Sequence, residues 1–179
     1  MLGVTTSMPD PHDTLAIFAE VSVALAGFSG IVIAFGRRPI GALSKLEMRR
    51  LSNLFALSGL VLIISLTEVS LLHLNLSDLN ILWRWGSAAL FFLISPWLVL
   101  DMLKVHRLDK SEKAQVNPAV LYTFNSLAVA MILLQLANWI FLSESWPFFL
   151  ALALIIAGAF QQFILLVGMA IQDGATGDA

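Results

Sequence analysis

The chain has 179 residues, of which 59% are hydrophobic and only 12% charged, and its mean hydropathy is +0.88. A soluble domain carries about a quarter charged residues, so this composition excludes one and implies a polytopic membrane protein. The net charge of −2 carries little information, and the absence of cysteine removes disulfides, thiolate metal sites and cysteine nucleophiles.

The segment before the first apolar run, MLGVTTSMPDPHDT, carries Asp10 and Asp13 where a signal peptide would be basic, so the first span is expected to be retained. That span, residues 15–35, holds one acid, Glu20, and is followed by Arg37 and Arg38. On a wheel at about 100° per residue, Ile17, Phe18, Val21, Leu25, Phe28, Val32 and Phe35 form a bulky face expected to meet lipid. The opposite face is small: Ala16, Ala19, Val23, Ala26, Gly27, Gly30 and Ala34. Such a stripe lets another backbone come close, so it reads as a helix-packing seam, with Glu20 at its edge.

The loop 36–50 is basic, and Ser44-Lys45-Leu46-Glu47 within it reads as a capping box, with Leu43 and Met48 placed for a hydrophobic staple. The second helix should therefore begin near Lys45 and leave the membrane as a short basic stub. Arg37, Arg38, Arg49 and Arg50 are then expected among anionic lipid head groups. The second span, 51–72, contains Glu68 and ends beside His73. The third, 81–103, opens with Arg84 and contains Pro96, which cannot donate to the Phe92 carbonyl and should kink the helix, with Ser95 or a neighbour satisfying the freed oxygen.

After a second basic loop, 104–119, Asn117-Pro118 is a good start for the fourth span, 120–142, which carries Asn125, Gln135 and Asn138. Ser143 to Pro147 suits a tight turn into the fifth span, 148–171, with Gln161 and Gln162 near its middle. Two adjacent glutamines diverge by about 100°, so only one is expected to point squarely into a given interface. Residues 174–179 read as a short disordered tail, and 1–179 as a single all-α membrane domain of five transmembrane helices.

Nine of the ten Lys and Arg residues fall in the two basic loops and only Arg84 on the other side, which predicts an outside N-terminus and a cytoplasmic C-terminus. Four of the five tryptophans, Trp83, Trp85, Trp139 and Trp146, then gather at the outer interface as an aromatic belt. The same topology collects Glu20, Glu68, Arg84, Gln135 and Asn138 in the outer third of the membrane. A charge at the bilayer centre costs at least about 2.5–3.5 kcal/mol, so intramembrane acids are functional hypotheses by default. One reading pairs Glu20 or Glu68 with Arg84 to lock helix packing; the other makes the two carboxylates a proton or cation site.

Gly27-Phe28-Ser29-Gly30 matches the GxSG string around the nucleophile of rhomboid-type intramembrane proteases. That chemistry needs a histidine base within reach, yet Ser29 lies deep in the first span while His73 and His106 lie at opposite membrane faces. His12, His73 and His106 fall in different regions without a ligand pair at helical spacing, so no metal or cofactor is expected. The basic residues are explained by topology, and no nucleic-acid surface is implied.

The string AEVSVALAGFSGIVIAFGRR, followed by a basic loop and a second span with a glutamate, resembles a group of small bacterial membrane proteins of uncharacterised function. The resemblance spans roughly the first third of the chain. It implies a bacterial inner (cytoplasmic) membrane and brings no activity or site residues with it. Two non-enzymatic readings follow from the residues themselves. One is an oligomeric channel or transporter-like bundle; the other is an accessory subunit of a larger complex, docked through the small-residue face of the first helix.

Overall fold

Backbone in hydrocarbon has to satisfy its own hydrogen bonds, and each of the five apolar runs does so as a helix. The computed structural model describes residues 10–35, 44–74, 78–107 and 118–176, without the side chains of 32–35, 106 and 170–176. The helices are α1 (Pro11–Phe35), α2 (Lys45–Leu72), α3 (Leu79–His106), α4 (Pro118–Ala137) and α5 (Ser145–Thr176). A π-helical turn, Asn138–Leu142, closes α4. All five are long and apolar enough to cross a membrane, and no strand occurs among the described residues. The chain is a multi-pass, all-α membrane protein.

Local chemistry sets the helix starts. Ser44 accepts from the Glu47 amide at 3.2 Å, and the Glu47 carboxylate accepts from the Ser44 amide at 2.6 Å. This is the expected capping box, and α2 begins at Lys45. Its staple partner Leu43 lies outside the described residues. Asp78 caps α3 by accepting from the Asn80 amide at 2.9 Å. α3 runs unbroken through Pro96, and the Ser95 hydroxyl donates to the Phe91 carbonyl rather than to that of Phe92. α5 continues to Thr176, into the stretch read as a tail.

α5 is the hub and touches all four other helices, whereas α1 leans on α2 and α5 alone among its main contacts. The core joins Leu57, Val61 and Ile64 of α2 to Leu82, Leu90 and Ile94 of α3, Met131 of α4, and Phe148, Leu152 and Ile155 of α5. Basic residues mark one end of the bundle, where α2 starts and α3 stops; these are called the basic end below. Tryptophans mark the other, the aromatic end.

Two expectations change here. α1 turns Leu15, Ala19, Ser22, Leu25 and Ser29 inward, about a quarter turn away from the small-residue face. Leu25 is buried and Phe18 stacks on Phe149 at 6.3 Å, although both belong to the bulky face expected to meet lipid. Ser22 and Ser29 pack readily because each hydroxyl donates to a carbonyl of its own helix, Phe18 at 2.7 Å and Leu25 at 2.6 Å. Trp83 likewise leaves the belt for the core, against Phe148 and Phe149, while Trp85 and Trp146 stay exposed.

Candidate functional site

Polar side chains gather in two places, separated by a fully buried apolar layer that includes Val61, Leu90 and Leu152.

At the aromatic end, Glu68 is drawn into the bundle from the last turns of α2 and is 95% buried. Gly86 of α3 makes room for it. A methyl group built on Gly86 would fall 2.5 Å from Glu68 Oε1 and 2.8 Å from the Phe148 ring, so the carboxylate rests directly on glycine backbone. Glu68 Oε2 is buried with no hydrogen-bond partner among the described residues. The same holds for Ser65 Oγ, one turn earlier on the buried face of α2, and for Ser58 Oγ further along it. Ser22, Ser29, Thr67, Ser70 and Ser95 all donate to the carbonyl four residues back. Ser58 and Ser65 do not, which leaves a line of unspent polar atoms along α2.

The five residues expected to cluster here do not form one network. Glu20 is exposed on α1 and makes no ion pair or hydrogen bond by its side chain among the described residues. Arg84 makes no ion pair among the described residues; its Nε donates to the Trp139 carbonyl at 2.8 Å. Neither acid meets the guanidinium: Glu20 sits on α1, whose main contacts are with α2 and α5, and Glu68 turns into the bundle while Arg84 stays exposed beside Trp139. Gln135 and Asn138 are fully buried and serve the turn between α4 and α5. Gln135 donates to the Pro147 carbonyl at 2.8 Å. The Asn138 amide donates to Ser87 Oγ at 2.7 Å and to the Glu144 carbonyl at 2.9 Å, and its oxygen accepts from the Glu144 amide at 2.9 Å.

The small-residue seam divides. Ala19 is buried and Ala26 half-buried, whereas Gly27 and Gly30 face open space; Ala34's side chain lies outside the described residues.

At the basic end, the sequence placed Arg49 and Arg50 among lipid head groups, and the structure turns both inward. Arg49 grips Asp101 of α3 in a two-pronged pair, Nε to Oδ1 at 3.0 Å and Nη2 to Oδ2 at 2.5 Å. Asn53 donates to the same Oδ1 at 2.7 Å. Arg50 reaches α5, where its Nη1 meets the Leu165 carbonyl at 3.3 Å and the Met169 sulfur at 2.5 Å. Arg37 and Arg38 lie outside the described residues. Beside this cluster is a cavity of about 190 Å³ walled by α2, α3, α4 and α5. Asn125, Gln161 and Gln162 all line it, both glutamines included, against the expectation that only one would.

Asn53 and Asp101 went unread in the sequence. The signal was available: an acid inside the third span, at the end where arginines enter the second, needs a cation at its own depth. The histidines also move. His12 and His73 meet edge-on at 5.8 Å at the aromatic end, yet no group of three or more metal-ligating side chains occurs among the described residues. Ser29 of the GFSG string spends its hydroxyl on Leu25.

These features define a five-helix membrane bundle with an unpaired buried carboxylate towards one end and a charged cavity towards the other. Comparison with protein families, with curated proteins and with solved structures finds no match to this chain.

Proposed function

We propose that the protein is a non-enzymatic, transporter-like bundle of a bacterial inner membrane that passes a proton or small cation, with Glu68 as the binding carboxylate. The observation that carries this is the unpartnered Oε2 of Glu68 at membrane depth. A carboxylate without a partner in hydrocarbon is costly, and groups so placed mark ion and proton pathways. Ser65 and Ser58 continue the polar line along the buried face of α2 towards the cavity. By the distribution of basic residues the cavity faces the cytoplasm. The Val61–Leu90–Leu152 layer separates it from Glu68, as a closed gate would.

In liposomes of purified protein, proton or alkali-cation flux is expected above the empty-vesicle level. Glu68→Gln should cut that flux at least tenfold while the helical content and gel-filtration profile stay unchanged. Flux indistinguishable from empty vesicles across protons, sodium and potassium would overturn the assignment.

A second reading is favoured by α1. Its Glu20, Val23, Ala24, Gly27 and Gly30 form an exposed strip, and Gly27 and Gly30 have nothing beside them. An acid on such a strip fits assembly, either with further copies of this chain or as a subunit of a larger membrane complex. Arg84 supplies a complementary charge on another flank. Phe18 stacks on Phe149, which Trp83 meets at a tilt, and this row of rings sets Glu20 and Arg84 at about the same depth. Native mass spectrometry of protein extracted from its own membrane should show an oligomer or a stable partner. A monomer carrying only lipid would remove this reading.

A further inference from the structure

We infer that the cavity at the basic end is a binding site for a small amphiphilic anion, with Arg50 holding the anionic head. The inference does not rest on Glu68, although it concerns the same cavity towards which the proposed pathway runs.

Charge accounting comes first. Asp101 is saturated, since Oδ1 takes bonds from Arg49 and Asn53, and Oδ2 takes one from Arg49. Arg49 and Asp101 thus neutralise each other. Arg50 is left over: it is 92% buried, it lines the cavity, and no carboxylate forms an ion pair with it among the described residues. Its hydrogen bonds go to a carbonyl and a thioether, and Glu47, one turn earlier on α2, attracts it without an ion-pair contact, so no carboxylate among the described residues meets the guanidinium directly. A buried guanidinium in that condition is a strong site for a carboxylate or phosphate, which it meets through charge-assisted hydrogen bonds.

The rest of the cavity sets the other half of the ligand. Away from the charged rim its walls are Leu57, Ile94, Trp97, Phe124 and Met131. A dry apolar cavity of about 150 Å³ is large enough to take up benzene, and this one measures about 190 Å³. It accommodates a compact apolar group or the first carbons of an alkyl chain. Gln161, Gln162 and Asn125 offer amide donors and acceptors along the same lining. An inorganic anion would satisfy Arg50 and leave the apolar walls unused; a neutral hydrocarbon would do the reverse. An anion joined to an apolar body uses both. That head group could belong to a membrane lipid or to a water-borne amphiphile, and the chemistry presented to Arg50 is the same.

The test is binding of decanoate to the full-length protein in nanodiscs of zwitterionic lipid, followed by calorimetry. Saturable binding is expected, with decylamine and inorganic phosphate binding at least tenfold more weakly. Arg50→Gln should weaken decanoate at least tenfold and Arg50→Lys much less. Ala128→Phe, which fills the cavity from α4 and leaves every charge in place, should weaken it similarly and covers the case in which Arg50→Gln fails to fold. Repeating the titration in nanodiscs containing phosphatidylglycerol separates the sources. Competition assigns the site to a lipid head group, and undiminished binding assigns it to a soluble amphiphile; either outcome supports the site. Equal binding of decanoate and decylamine, or binding that ignores both Arg50→Gln and Ala128→Phe, would overturn it.

Discussion

Asp101→Asn is expected to destabilise the bundle by about 3–5 kcal/mol, the largest single effect foreseen for this protein. The carboxylate accepts two bonds from Arg49 and one from Asn53, and both members of the ion pair are largely buried, with side-chain exposures of 11% for Arg49 and 8% for Asp101. Removing one member of a buried pair leaves the other charged and uncompensated, which is the costly case. Here the cost is compounded, because Arg50 is also inside the bundle with no carboxylate ion-paired to it among the described residues, and Arg49 repels it. Two cations would then face each other at the basic end. Unfolding by SDS in mixed micelles, followed by circular dichroism, measures the loss. The double change Arg49→Met with Asp101→Leu should recover most of it, since replacing a buried pair by apolar side chains is often neutral or better. A single-mutant loss below about 1 kcal/mol would mean that the pair is solvated.

Asn138→Ala should cost about 2–4 kcal/mol. The side chain is fully buried and makes three hydrogen bonds, two to Glu144 and one to Ser87. Interhelical bonds in membranes contribute about 0.6–1.7 kcal/mol each, and groups stranded by the change add a desolvation penalty. The Glu144 bonds hold a reversal that needs Ser143 at φ 56°, in the left-handed region where a side chain other than glycine is strained. Without Asn138 that strain has less to offset it. Gln135→Leu is the comparison. It removes one bond, to Pro147, along with an oxygen that has no partner among the described residues, so its cost should stay within about 1 kcal/mol. The same SDS titration ranks the two, and equal costs would contradict the clasp described for Asn138.

The spans were legible because hydropathy and length are one-dimensional properties, and so was the start of α2, whose capping box is entirely local. Which way each helix faces was not. α1 is apolar around most of its circumference, and hydrocarbon does not distinguish leucine from glycine, so apolar residues on a wheel cannot choose the buried side. Ser22 and Ser29 were the better guide, sitting seven residues apart on the face that went inward. The arginines failed for another reason. Head groups explain any arginine near a membrane surface, and only the partner across 52 residues of sequence, Asp101, reveals that Arg49 is spoken for. Gln135 and Asn138 looked like members of an ion site because depth alone was readable; their bonds run along the chain to the next turn.

That last arrangement bears on how the protein is made. The Gln135–Pro147 and Asn138–Glu144 bonds close over only 12 and 6 residues, so they need no other helix to be present. The α4–α5 hairpin can therefore make these bonds while it is leaving the ribosome and enter the bilayer as one piece, sparing each helix part of the cost of carrying amides into lipid. Ser87 on α3 is the one long-range hydrogen-bond partner of the Asn138 side chain among the described residues. In that order of events Ser87 would receive a hairpin whose turn is already closed.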